Sequence, residues 1–434
     1  MKLTISYRKG LSAKLFFLLM ISTFIGYVGY YLYSKEAGIN IYFIYSNYFL
    51  SVFDEIDTLS LILRYLKDIV VVLLLFVLIF KMRKSQQPLF MVIGLFVAWG
   101  LVVAFINGQE ITTIISGIRS YIYFFAVVLF FSGIDDYSLR IKTFRVIIFA
   151  GLIINLIVEI DQAMRGTNGV IALAGTGGYR FPGLFGSAGA LASYAIGVAL
   201  FYVVVDVAYE KIGFIKMVIV LVTCVLVANF SGTRSALINI LIIIGAWLVF
   251  NVGIKKEQRF WFAVVAAVIA VPLVIMFATN MAGRGNILQV QLESGRLLIL
   301  KNLLLNPSLI NLLLGYGIGA GSNTDAILNQ TQENAYENIL DGTFNVIIYQ
   351  YGLVGLILSF VLIFIIFRKL SVCNNKIFQF VFIGTILLQA LTNNIFETQS
   401  LLILLGVVFG LLATNKFELS EKQKMELADE QISV

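Results

Sequence analysis

Apolar stretches of about 17 to 25 residues, each enough to cross a hydrocarbon core of roughly 30 Å, recur along nearly the whole chain. No other feature restricts the fold as strongly. Twelve can be drawn, at 12–33, 65–81, 88–106, 112–132, 143–161, 186–206, 214–230, 235–253, 260–279, 342–366, 377–393 and 398–414. Composition agrees, with 60% of the 434 residues hydrophobic and 13% charged, a balance that a water-soluble single-core domain of this length does not show. The sequence therefore predicts an all-α polytopic membrane protein, a single integral membrane domain over residues 1–434 with about 12 transmembrane helices. An even number of spans leaves both ends on one side.

Lys and Arg set the orientation. With a cytoplasmic N-terminus, 21 of the 31 cationic residues fall in inward-facing connections, so both termini are assigned to the cytoplasm. The net charge of +7 then serves as an anchor to anionic inner-leaflet lipid and not as a nucleic-acid surface. The first apolar run is long, lacks a small-residue cleavage pattern and precedes many more spans, so it reads as a retained helix and not a signal peptide. Cys224 and Cys373 lie too far apart to pair. The chain has no histidine, which removes the commonest general base and the commonest metal ligand together. Chemistry must run on carboxylates, hydroxyls, amides and arginines.

Three outward connections are long: 34–64, rich in aromatics; 162–185, rich in glycine; and 280–341, the longest in the protein. The inward connections are short, and 415–434 forms a polar cytoplasmic tail. Within 280–341 the stretch "ESGRLLILKNLLLNPSLINLLLGYG" places Leu297, Leu298, Leu300, Leu303 and Leu304 on one helical stripe, and Asn306-Pro307 ends that helix. It is expected to lie along the outer membrane–water interface. No internal repeat of the kind that builds many transporters is visible.

Sorted by type, the ten outward cations are Lys35, Lys67 and Lys301 against Arg64, Arg119, Arg165, Arg180, Arg234, Arg284 and Arg296. The bias toward arginine matters because a guanidinium fork matches phosphate bidentately and keeps its charge at every pH. Four arginines sit among glycine or small polar residues at the mouths of spans: "ISGIRSY" with Arg119, "GGYRFPGLFGSAGA" with Arg180, "FSGTRSA" with Arg234 and "ESGRLL" with Arg296. Small neighbours let a bulky anion approach the backbone and free N–H groups for it. If the four converge, they form a phosphate or pyrophosphate pocket; taken singly, each can instead snorkel to headgroups or pair with Glu110, Asp161 or Glu293.

A second cluster, "NQTQENAYENILDGTF", spaces Glu333, Glu337 and Asp341 by four, so that a helix would stack them on one face. Repulsion between them raises the proton affinity of one, which suits a general base or acid as well as a solvated face. Asp341, nearest the membrane, is the leading catalytic candidate, with Glu337 second. Tyr42, Tyr45 and Tyr48 can stack on sugars or form an interfacial belt.

Taken together, "RFPGLFGSAGALASYAIGVALF", "NFSGTRSALINILII", "ESGRLLILKN...LLGYGIGAG" and "DGTFNVIIYQYGLVGLILSF" occur in an order and spacing that resemble the O-antigen ligase and O-antigen polymerase (Wzy-type) superfamily, over roughly residues 175 to 365. The resemblance implies a fold similar to the GT-C membrane glycosyltransferases and glycan transfer on undecaprenyl-pyrophosphate-linked sugars. It gives Arg180, Arg234 and Arg296 the anion-binding roles and implies a chain-length regulator (co-polymerase) as partner. The ligase branch usually carries a histidine before the apolar run ending in Gly-Leu-Ile-Gly-Leu. Here Asp341 occupies that place, which points to the polymerase branch and puts the ligase's base in doubt.

The resulting expectation is a metal-independent, inverting glycosyltransferase, with no cofactor and no Asp-x-Asp metal motif, that joins lipid-linked repeat units on the periplasmic face. The arginines would hold the pyrophosphate, Arg119 among them, and Asp341 or Glu337 would take the acceptor's proton. A ligase and a lipid-linked-oligosaccharide flippase or transporter are the alternatives. Arginines strung across the bilayer would favour the flippase.

Overall fold

The computed structural model describes residues 14–20, 58–80, 82, 87–132, 137–164, 171–172, 179–185, 188–208, 210–251, 296–305, 307–321, 342–370, 376–392, 395 and 398–412. The chain is all-helical there apart from one two-residue ladder. Its elements are α1 (Thr58–Ile79), α2 (Gln87–Ile106), α3 (Ile111–Ser132), α4 (Tyr137–Met164), β1 (Ile171–Ala172), β2 (Tyr179–Arg180), a 3-10 turn (Gly183–Phe185), α5 (Ala188–Ala208), α6 (Phe214–Phe230), α7 (Arg234–Asn251), α8 (Arg296–Leu305), α9 (Leu309–Leu314), α10 (Thr343–Leu370), α11 (Lys376–Thr392) and α12 (Gln399–Leu412). Residues 14–20 form a further piece of helix inside the first expected span. The expected span at 260–279 lies outside the described residues.

Four of the helices are long and apolar enough to cross a membrane by length and composition, and six shorter apolar helices accompany them among the described residues. Large apolar side chains face outward along several of them, Ile69 and Phe76 on α1, Leu95 and Val102 on α2, Ile357 and Phe360 on α10. A water-soluble chain would bury such a surface, whereas lipid solvates it. The chain is a polytopic membrane protein.

Helix α12 is the centre of the bundle, packed between α3 and α5. Its approach to α3 is close because Gly410 has no side chain, and a Cβ there would lie 2.6 Å from that of Phe131. Small residues let helix backbones approach where lipid offers no hydrophobic drive for association. Phe16 ties segment 14–20 to α3, stacked on Phe130 at 4.6 Å and edge-on to Phe131 at 5.1 Å between centroids. Helices α5, α6 and α7 pack on one another, α6 on α4, α7 on α11, and α10 on α2.

One end of the bundle gathers the start of α4 and the end of α5. There Glu210 reaches Lys142 at 3.8 Å and Arg145 at 3.6 Å, and buried Asp206 accepts hydrogen bonds from Trp247 Nε1 at 3.0 Å and Ile212 N at 2.6 Å. At the opposite end α2, α4, α6 and α11 finish and α3, α5, α7 and α10 begin. This is the end that the charge pattern assigns to the outside.

Helix boundaries follow the sequence reading closely. Helix α8 stops at Leu305, before Asn306-Pro307, and α9 restarts with Ser308 as N-cap, its hydroxyl accepting from Asn311 N at 3.2 Å. Two differences stand out. Helix α1 begins at Thr58 and not at 65, so the end of the aromatic-rich connection is already helical. The Gly-rich run after α9 does not continue along the interface; it enters the bundle.

Candidate functional site

The turn that carries Arg180 and the turn that precedes Arg234 meet. Arg180 closes the short ladder β1–β2, in register with Ile171, and its Nη2 donates to Thr233 Oγ1 at 3.2 Å. The adjacent residue repeats the contact through the backbone, Phe181 N donating to Phe230 O at 3.2 Å, while the Phe181 and Phe230 rings meet edge-on at 6.1 Å. Thr233 is buried and its hydroxyl also reaches Ala188 O at 3.5 Å, at the start of α5. The reversal between α6 and α7 needs Gly232, whose φ of 62° lies in the left-handed region open to glycine. Thr233 O then accepts from Ala236 N and Leu237 N as α7 begins. Two of the four small-residue arginine motifs thus form one piece of structure, and Arg234 opens α7 next to it.

A stripe of polar side chains on α4 grips the turn from below. Asn155 Oδ1 accepts from Leu184 N at 3.0 Å, and Gln162 holds Gly183 from both sides, Oε1 accepting from Gly183 N at 3.0 Å and Nε2 donating to Gly183 O at 3.2 Å. Between them stands Glu159, 0% exposed, with neither carboxyl oxygen hydrogen-bonded among the described residues. None of the three was singled out from sequence. Their spacing, i, i+4 and i+7 in an apolar run, was the available signal.

The remaining motifs build a re-entrant wall at the same end. Residues 315–321 enter the bundle as irregular backbone, which membranes tolerate only where protein buries it. Ile318 N donates to Gly100 O at 3.0 Å, six residues from the end of α2 and so about 9 Å along it. Helix α10 is broken at Gly352, φ 63°. Near the break, Tyr349 O accepts from Tyr316 N and Gln350 O from Gly317 N, each at 2.8 Å. Gln350 also donates to Ala320 O at 2.9 Å. The stretches "GYGIGAG" and "NVIIYQYG" are therefore partners in one fold element.

Arg119 belongs to this wall. Gly117, beside it on α3, is covered by the protein's own backbone at Gly319, so the space that small neighbours free at this motif is filled. The Arg119 Nε donates to Asp68 Oδ1 at 2.8 Å, and Tyr123 donates its hydroxyl to the same oxygen at 2.6 Å. Nη2 has no hydrogen-bond partner among the described residues. Glu110, a candidate partner from the sequence, instead accepts from Thr112 at 3.3 Å.

Arg296 is the first residue of α8, which packs on α10. Asp341 and Glu337 lie outside the described residues. The chain resumes at Gly342, and Thr343 at the start of α10 accepts from Ile395 N at 2.9 Å, beyond the end of α11. Helix α11 in turn is joined to α7 by Asn239 Nδ2 donating to Gln389 Oε1 at 3.1 Å, and to α5 by Gln389 Nε2 donating to Ser193 Oγ at 2.9 Å. The starts of α5, α7 and α10 and the end of α11 thus meet.

The described residues thus form a helical membrane protein that carries the Arg180 turn and a set of buried polar side chains at one end. Residues 217–360 match the family model described as O-Antigen ligase. The match covers less than half of the chain and supports the ligase and polymerase superfamily that the motifs resemble, with a ligase- or polymerase-type role in O-antigen assembly. It takes in Thr233, Arg234, α8, the re-entrant run and the break in α10, while Arg180 precedes it. No curated protein matches the chain.

Proposed function

We propose that this protein is a polysaccharide polymerase that joins undecaprenyl-pyrophosphate-linked oligosaccharide repeat units on the outer face of the bacterial inner membrane, both termini being cytoplasmic. The observation that carries the reading is the junction of Arg180 with Thr233, which brings the turns of two arginine motifs into one structure. Breaking the anomeric bond moves negative charge onto the leaving pyrophosphate, and prepositioned guanidinium groups stabilise that charge most as it develops. Arg180, Arg234 and Arg296 hold the pyrophosphate, and Nη2 of Arg119 is a further donor. The acceptor is a terminal sugar hydroxyl of another lipid-linked unit, which gives its proton to Asp341 or, second, to Glu337 and attacks in line, inverting the anomeric centre. A fold similar to the GT-C glycosyltransferases and a co-polymerase that sets chain length belong to the same reading.

The name of the matching family favours a second reading, transfer of finished glycan to a different acceptor. Against it stands the absence of histidine from the chain. The test is reconstitution of the purified full-length protein in liposomes with lipid-linked repeat units extracted from its host. A polymerase makes longer glycan still on polyprenyl pyrophosphate. Glycan that appears only on an added second acceptor would establish a ligase.

A further inference from the structure

Glu159 is the one carboxyl group among the described residues that is completely enclosed and has both oxygens without a hydrogen bond. It lies in the last turns of α4, in a stretch apolar enough to span a membrane. An ionisable group in such a place is costly to bury, and one with no partner among the described residues does not join helices there. Its surroundings say what it serves. Asn155, Glu159 and Gln162 fall within roughly 60° of arc on the helix, and the outer two bind the backbone of Gly183 and Leu184. Gly183 comes so close that a Cβ there would meet Asn155 Oδ1 at 2.8 Å. The carboxyl therefore sits beneath the same turn that, three residues earlier, carries Arg180 to Thr233.

We propose that Glu159 is a further binding residue of the glycan site, its carboxyl group accepting a hydroxyl of the sugar joined to the pyrophosphate. The ligand rests on the polymerase reading above. Such a substrate offers two kinds of polar group, phosphates and hydroxyls. A carboxyl group pairs with the second as acceptor and, when protonated, as donor. With the phosphates on Arg180, the attached sugar is the part that reaches a group beneath the Arg180 turn. Glu159 is closed off from solvent, so the three-residue turn Gly183–Phe185 shifts to admit the sugar.

The experiment compares wild type and Glu159→Gln, as purified full-length protein in nanodiscs, titrated with two probes: lipid-linked repeat units extracted from the host, and undecaprenyl pyrophosphate without glycan. The expected result is that the variant binds the glycan lipid about two- to ten-fold more weakly, the loss expected for one hydrogen bond. Binding of the bare pyrophosphate and the thermal unfolding midpoint stay unchanged. An infrared difference spectrum on adding glycan lipid should show a carboxyl band in wild type that is missing in the variant and returns, shifted, in Glu159→Asp. Equal binding of glycan lipid by the variant overturns the proposal, as does equal loss of both probes with a lowered midpoint, which would make Glu159 structural. If wild type binds bare pyrophosphate but gains nothing from the glycan, the proposal fails while the anion site stands. If wild type binds neither probe, the polymerase reading falls, and this ligand with it.

Discussion

Adding one methyl group at Gly117 should loosen the re-entrant wall. A Cβ built there lies 2.5 Å from Gly319 N, 2.7 Å from Gly319 Cα and 2.9 Å from Ile318 C, all of them backbone atoms. Ordinary contact needs about 3.5–4 Å, so the run 318–321 has to retreat by about 1 Å. Its retreat from α3 is opposed by the bond of Ile318 N to Gly100 O on α2, at 3.0 Å. Overpacking of this kind costs about 1–3 kcal/mol. Exchange of glycine for alanine in a helix by itself returns up to about 1 kcal/mol. Gly94 on α2 supplies the control, since a Cβ there meets nothing within 4 Å. Gly94→Ala should match or exceed wild type, and Gly117→Ala should fall below it, the two variants differing by about 1–3 kcal/mol. Thermal unfolding of the purified proteins in one detergent reads the order. A Gly117→Ala midpoint equal to or above that of Gly94→Ala would show that the glycine-rich run does not rest on α3.

Three further outcomes follow from the contacts at this end of the bundle. Thr233→Val removes the acceptor of Arg180 Nη2 while keeping the shape of the side chain, and should cost about 1 kcal/mol of stability together with activity; an unaltered polymer length would separate Arg180 from the site. Asp68→Asn leaves Arg119 without its counter-charge in a part-buried place, and should be more damaging than Asp68→Asn combined with Arg119→Gln, as expected when one member of an enclosed pair is removed; additive losses in a double-mutant cycle of unfolding midpoints would deny the pairing. Gln162→Leu deletes both hydrogen bonds to Gly183 and should raise proteolytic cutting at the 162–185 connection, whereas Asn311→Ala, on half-buried α9 and away from this turn, serves as the unaffected control.

The apolar helices among the described residues were legible because length and hydropathy are local properties. The stop at Asn306-Pro307 and the capped restart at Ser308 follow from backbone chemistry that any two adjacent residues disclose. The meeting of the Arg180 and Arg234 turns was foreshadowed only as a possibility, since both motifs open spans on the same side. What the sequence could not provide was partners. Arg119 reads alike whether it faces a phosphate or Asp68, which stands 51 residues away in the chain. The glycines of "GYGIGAG" advertise close approach without saying to what, and the answer is the protein's own α2, α3 and α10. Glu159 was hidden by its position near the end of a span, where a carboxylate is usually read as reaching water. Asn155 and Gln162 at its flanks mark that face of α4 as buried and polar.

The central claim is that the arginine-bearing end of the bundle lengthens a lipid-linked glycan. The direct measurement is polysaccharide chain length by gel in a deletion strain carrying wild type, Arg180→Ala, Arg234→Ala or Asp341→Ala at matched expression. The account predicts that each variant loses the long-chain ladder and leaves a core bearing a single repeat unit. A full ladder in the arginine variants, or loss of even the single repeat, would contradict it, the latter outcome pointing to a ligase or flippase instead.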